Sequence, residues 1–546
     1  MKRFSVLLAF ILTAMAVVAQ TDTNTIAGPP DTNAPAAQPG TNEVAGQTST
    51  NPAAAQTNLL DFGAQTRAMS LGDCIQEALQ HNLDVQIERT APQISLFTLN
   101  SSYGSYDPTF DFTATHQRNN TGPEFEFGLP VPASTSDQNT FTPDLSGSLP
   151  WGMTYDLNGT VQDSKNINFS ISTNIISTNR LALLSQGASG SASLTLTQPL
   201  LKNFWIDQSR LTIRLAKNQL KSDEEGLRLQ LIQSITAVEN AYYELIYAQE
   251  NVKVQQEALA LAQTQLDQDR QRMQIGTKAE LDVQQDESQV ATSRANLIAA
   301  LATLGTDHRT LKNLITDQYA KSFAVEIQPT ATLTAPLQSF DLQDSWNKGM
   351  TKRPDLIQKR LLVERQGIQL KFDNNQLYPE LNLVGSYGYN GQGAQYDDVF
   401  TQVGNEDRPF YSYGAELKIP LSNVSARNNK KADKVTLQQL LLKLKQFEQK
   451  VMVDIDNDIG TARSDYEKVA ARRQARIYAE AALDAEQKKY AVGKSTTFIV
   501  LQLQNTLTSD RGDEIRALAD YNEALATLSL DEGSTLERHR INIELK

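Results

Sequence analysis

From Gln208 onward, apolar residues return every three to four positions. Leu231, Ile235, Val238, Tyr242, Leu245 and Val252 are followed by Leu259, Leu266 and Met273. Sustained over so many turns, this is the heptad repeat of a coiled coil. It predicts one helix over 208–274, on the order of 100 Å long at 1.5 Å per residue, too long for a compact domain. Several positions between the apolar ones are polar (Gln249, Gln256, Gln263 and Arg270). A second helix of matching length is predicted over 426–492, and shorter helices follow the two long ones over 279–315 and 496–530.

Elsewhere the period is two. Phe110, Phe112 and Ala114 alternate with Asp111, Thr113 and Thr115, and Tyr411, Tyr413, Ala415, Leu417 and Ile419 alternate with Ser412, Glu416 and Lys418. Strands are predicted over 109–116, 189–198, 381–390 and 410–420, each pair opening at Pro108 or Pro379 and closing at Pro199 or Pro420. Proline is tolerated at a strand's first residue and breaks the ladder at its end. Each strand pair therefore sits between a short helical opening (Ser70–Asp84, or Asp341–Leu356) and a long helix. The same order occurs twice, an internal two-fold repeat over 68–335 and 336–530, with a polar tail over 531–546.

Matching turns join the helices of each copy. Met273-Gln274-Ile275-Gly276 aligns with Tyr490-Ala491-Val492-Gly493, and glycine just past a helix end is the residue that accepts a positive φ. The first copy is longer between its prolines and holds an extra hairpin signal over 144–162, turning at Pro150-Trp151-Gly152. Polar stretches from Gln117 to Thr140 and from Ser164 to Ala188 are expected as long loops beside it. The insertion either adds two strands, for six per protomer instead of four, or forms an extracellular loop.

At the N-terminus, Lys2 and Arg3 precede an apolar run from Phe4 to Val18, and Val17-Val18-Ala19 offers small residues before Gln20. That layout is a secretory signal peptide over 1–19. Residues 20–67, rich in Ala, Pro, Thr and Asn, are expected as a disordered tether. No later window is long and apolar enough for a membrane helix, which leaves β-strands as the way to cross one. A polar face opposite an apolar one with tyrosines suits water inside and outer-membrane lipid outside. A soluble sandwich alternates too; the signal peptide and the long helices favour a barrel. Four strands cannot close around water, so the chain must associate with copies of itself.

Composition removes other classes. The net charge of −13 argues against nucleic acid as a partner. The single cysteine, Cys74, excludes a CxxC metal site and reads as a buried apolar residue. The four histidines show no ligand spacing, and no nucleophile–base constellation stands out. No metal, cofactor or catalytic residue is expected, and the chain is not expected to be an enzyme.

The two-fold repeat, the Ser70-Leu71 to Asn82 opening, the Gln198-Pro199-Leu200 strand exit and the paired Gly276 and Gly493 turns together resemble the TolC family of outer-membrane efflux proteins over roughly residues 68 to 530. The resemblance implies an α+β membrane protein. It would be a homotrimer whose strands share one outer-membrane β-barrel, continuous with a long coiled-coil α-barrel in the periplasm. Such a trimer is a passive exit duct that works with a periplasmic adaptor (membrane fusion) protein and an inner-membrane pump of RND or ABC type. The resemblance also places the aperture at the hairpin tips. There Asp282, Gln285, Tyr490, Ile499 and Gln502 are the candidate gate residues, with an Asp282–Tyr490 hydrogen bond as the expected latch. Ile499 and Gln502 stand where family members often carry carboxylates. The alternative is a trimeric adhesin or structural stalk whose rods project outward.

Overall fold

The computed structural model describes residues 66–126, 129–131, 133–174 and 177–541. The expected signal peptide, the tether through residue 65 and the last five residues of the tail lie outside them. The chain runs through β1 (Thr66–Met69), α1 (Leu71–His81) and α2 (Leu83–Ser102), then β2 (Thr109–Thr121), β3 (Glu124–Glu126), β4 (Leu129–Val131), β5 (Ser134–Ser148), β6 (Thr154–Asn174) and β7 (Ser177–Pro199). Helices α3 (Gln208–Gln274), α4 (Glu280–Ile315) and α5 (Tyr319–Ser322) precede β8 (Glu326–Pro329). The order continues with α6 (Leu342–Lys352), α7 (Pro354–Asn375), β9 (Glu380–Gly393), α8 (Tyr396–Gly404) and β10 (Pro409–Lys418). Last come α9 (Val424–Ala491), α10 (Thr497–Asp531) and α11 (Thr535–Arg538).

Helix α1 starts at a capping box: the Asp73 amide donates to Ser70 Oγ at 3.2 Å, and the Ser70 amide donates to Asp73 Oδ2 at 3.0 Å. Its apolar face, Cys74, Ile75 and Ala78, packs on Ile235, Val238 and Tyr242 of α3 and on Leu311 and Ile315 of α4. Burial pushes the Cys74 thiol up to about 12, so it is an inert packing group. The Tyr242 hydroxyl donates to the Met69 carbonyl at 3.1 Å. That contact seats the parallel pair β1–β8, which the sequence reading did not include. Helix α6 docks on α9 and α10 in the corresponding way. Leu342 and Trp346 pack on Val451, Ile455, Ile459 and Leu528, and the Trp346 indole donates to the Met452 carbonyl at 3.0 Å.

Six antiparallel strands form one sheet in the order β10-β9-β7-β6-β5-β2. Strands β5 and β6 turn at Leu149–Met153, with Gly152 at φ +93° and its amide donating to the Leu149 carbonyl at 2.8 Å. The stretches 117–140 and 164–188, expected as loops, are largely strand: β6 and β7 stay paired out to Asn174 and Ser177. In β6 the alternation was present, with Ile167, Phe169 and Ile171 separated by Asn168 and Ser170, and the sequence reading passed over it. Residues 117–121 and 134–140 have no apolar residue, yet the ladder hydrogen bonds between them suffice to hold them extended.

The register aligns the alternating faces across all six strands. Phe110, Leu145, Leu157, Leu194, Tyr387 and Tyr411 are successive cross-strand partners on one face. Asp111, Asp144, Asn158, Ser193, Gly388 and Phe410 follow one another on the opposite face, which is polar over its first four strands. Helix α8, also unforeseen, lies on the apolar face. Its Val399 is fully buried against Gly190 and Gly391, which leave the room that any Cβ would fill. Pro108 directly precedes β2, Pro199 ends β7, Pro379 directly precedes β9, and Pro420 lies just beyond β10. Among the described residues no helix is long and apolar enough to cross a membrane.

Candidate functional site

The two long helices each end in the same left-handed turn. Gly276 has φ +78° and Gly493 φ +76°. At the first, the Thr277 amide donates to the Arg272 carbonyl and the Gly276 amide to the Met273 carbonyl, both at 2.9 Å. At the second, the Lys494 amide reaches the Lys489 carbonyl at 2.9 Å and the Gly493 amide the Tyr490 carbonyl at 3.0 Å. This double bond closes the last carbonyls of a helix and reverses the chain within a few residues. Each hairpin therefore presents a compact tip, and the two tips of the chain lie side by side.

Between them is a buried polar cluster. The Tyr490 hydroxyl of α9 donates to Asp269 Oδ1 of α3 at 2.7 Å. Thr497 Oγ1 of α10 donates to Asp269 Oδ2 at 3.3 Å, and Gln265 Nε2 donates to the same oxygen at 3.1 Å. Lys278 Nζ stands 3.5 Å from both Asp269 Oδ2 and Asp282 Oδ2, and it donates to Thr497 Oγ1. Arg272 Nη1 is 3.5 Å from Asp269 Oδ1. The Arg272 and Lys278 cations also flank the Tyr490 ring, 4.9 and 4.8 Å from its centroid. A hydrogen bond to a fully buried carboxylate contributes about 1.5–3 kcal/mol, more than one exposed to water.

One member of the cluster has no donor. Asp286 of α4 is 1% exposed, and neither carboxyl oxygen meets a hydrogen-bond partner among the described residues. Burial and the adjacent Asp269 carboxylate push the Asp286 carboxyl up to about 7.

Behind the tips, further pairs tie the first hairpin to the second. Gln289 and Asn505 exchange amide hydrogen bonds of 2.8 and 3.2 Å. Arg511 Nη1 donates to Glu257 Oε2 at 2.7 Å, and Arg516 Nη1 bonds both oxygens of Glu244 at 2.7 and 2.8 Å. Leu261 of α3 packs into the cluster of Leu483, Tyr490, Val500 and Leu507.

Of the sequence candidates, only Tyr490 belongs to the buried cluster. The expected Asp282–Tyr490 bond is replaced by Asp269–Tyr490, because Asp269 lies on α3 opposite Tyr490, whereas Asp282 begins α4 and pairs with Lys278. Gln285, Ile499 and Gln502 are exposed on the neighbouring surface. Asp269, Asp286, Lys278 and Thr497 were missed. The heptad spacing pointed one residue away: counted on from Leu266 it falls on Arg270, which is exposed, while Asp269 beside it is buried. A carboxylate there must find buried partners.

The outer membrane efflux protein family model matches residues 166–316 and 349–530. The outer membrane protein TolC of Vibrio cholerae serotype O1 is 24% identical over 355 residues, covering 62% of this chain and 77% of that protein. The outer membrane efflux protein BepC of Brucella suis is 23% identical over 321 residues, covering 59% and 67%. Among solved structures, the outer membrane protein VceC of Vibrio cholerae superposes with a TM-score of 0.62 at 16% identity, covering 85% of this chain and 96% of that one. The Campylobacter jejuni CmeC outer membrane channel gives 0.61 at 15% identity, covering 93% and 94%. The chain belongs to the outer membrane efflux protein family and is an outer-membrane exit duct for efflux, not an enzyme.

Proposed function

We propose that three copies of a two-fold repeated unit assemble into one channel, each contributing six strands to a shared β-barrel and four long helices to a periplasmic tunnel. The observation that carries this is the open sheet. Among the described residues its edge strands β2 and β10 have no partner on their outer sides, and β2 is exposed along its whole length. Unpaired backbone groups at a sheet edge are costly in lipid, so β10 of one copy pairs with β2 of the next. Six strands from each of three copies give a barrel wide enough for an aqueous passage. Where α8 does not cover it, the apolar face meets lipid, and the face of Asp111, Asp144 and Asn158 lines the water.

The hairpin tips form the periplasmic aperture. Asp269–Tyr490 is the latch within each copy, and Asp282, Gln285, Ile499 and Gln502 line the opening. The tips receive a periplasmic adaptor protein, and an inner-membrane pump of RND or ABC type supplies the energy in a tripartite system. Native mass measurement alongside planar-bilayer recording tests this reading. A trimer with a small, cation-favouring conductance is expected, and a soluble monomer without channel activity would overturn it.

A further inference from the structure

Asp286 has no role in the latch just described, and its surroundings are unusual for a carboxylate. It is almost completely buried, its own oxygens receive no hydrogen, and the group beside it is a second buried carboxylate. Asp269 has its oxygens engaged by Tyr490, Thr497 and Gln265, which donate to it and leave nothing for Asp286. The charged groups at the cluster are few. Lys278 from the turn favours an ionised Asp286, while Asp269 from α3 and Asp282 from the first turn of α4 oppose it. Arg272 is spent on Asp269 and the Tyr490 ring. Two carboxylates in contact away from water cannot both stay charged; one must keep a proton and donate it to the other.

We propose that Asp286 is a positioning residue for the aperture: it holds one proton shared with Asp269, and losing that proton loosens the latch between the two hairpins. The proposal rests on reading the hairpin tips as the aperture and Asp269–Tyr490 as its latch. With the proton on, Asp286 donates to Asp269 and draws α4 against α3, which holds Asp269 in reach of Tyr490. With the proton released to solvent, two adjacent charges repel, and separation of α4 from α3 lets water reach both.

The sign follows from the two states. In the closed tip the Asp286 carboxyl binds its proton more tightly than a hydrated carboxyl does, about pH 7 against 3.8. The closed state is therefore fully favoured below pH 4, loses ground as pH rises, and has lost the whole contribution above pH 7.

The test is single-channel recording of the full trimer from pH 5 to pH 8. Wild type is expected to open on the order of a hundredfold more often at pH 8 than at pH 5, since about two pH units of the interval over which the contribution is lost lie between them. Asp286→Asn, whose amide can still donate to Asp269, is expected to stay at the low level across the range. Asp286→Ala, which has neither charge nor donor, is expected to be independent of pH at a higher level. A flat wild-type profile, which needs no variant, or a slope retained in Asp286→Asn would overturn the proposal. Tyr490→Phe at pH 5 separates it from the latch reading. Raised opening there supports the latch whatever Asp286 does, and unchanged opening removes the latch itself.

Discussion

Helix α3, of 67 residues, and helix α9, of 68, carry the same heptad spacing and reverse at the same kind of turn, yet their apolar residues are covered differently. Through its middle, α3 buries Leu231 against Val85 of α2, and Ile235, Val238, Tyr242 and Leu245 under α1, α4 and the β1–β8 pair. The first third of α9 has no buried residue; Val435 is 63% exposed and Leu442 69%. An identical periodic pattern thus says that a face is apolar without saying what covers it. For α3 the cover is in the same chain. In α9 the same holds for Val451, Ile455 and Ile459, which α6 and α10 cover; for its first third we assign the cover to a neighbouring copy, because apolar residues left in water on a helix this long would favour association in any case.

That contrast can be broken at three levels. The largest effect is expected inside α3. Leu245→Ala removes a fully buried side chain and should lower stability by about 2–5 kcal/mol, read as a fall in the denaturation midpoint. In α9, Leu442→Asp should leave the helix content of the detergent-solubilised chain unchanged while weakening assembly by about 1.5–3 kcal/mol per copy, read as a shift from trimer to monomer in native mass. A Leu442→Asp protein that stays trimeric and equally stable would show that the exposed stripe is only solvated surface. The smallest effect is expected at Asp282, whose carboxylate is about a third exposed and shares Lys278 with Asp269. Asp282→Ala should change conductance by roughly fivefold at most, the range of a partly exposed ion pair of about 1 kcal/mol or less. A larger change would return the latch to the residue first expected.

Some elements were legible because their signals are local. Heptads sustained along the two long helices place α3 and α9 to within a few residues, and a glycine at a helix end marks each tip through its positive φ alone. The prolines flanking β2, β7, β9 and β10 were readable because proline cannot donate to a ladder. Other elements had no local signal. The outer ends of β2 (117–121) and β5 (134–140) carry no apolar residue and form strand only because each supplies hydrogen bonds to the other. Strand β1 is four residues long and exists because β8, far along the chain, lies beside it under Tyr242.

The candidate site divides in the same way. Sequence alone determined that the chain has two long hairpins, where each one turns, and that Tyr490 stands at the second turn. Only the tertiary structure decided that the partner of Tyr490 is Asp269 and not Asp282, and that Asp286 is enclosed with it. Helical periodicity specifies the angle at which a residue leaves its own axis. The distance between residues on two different helices depends on how those helices pack, and hydrogen bonding and proton sharing are both matters of that distance.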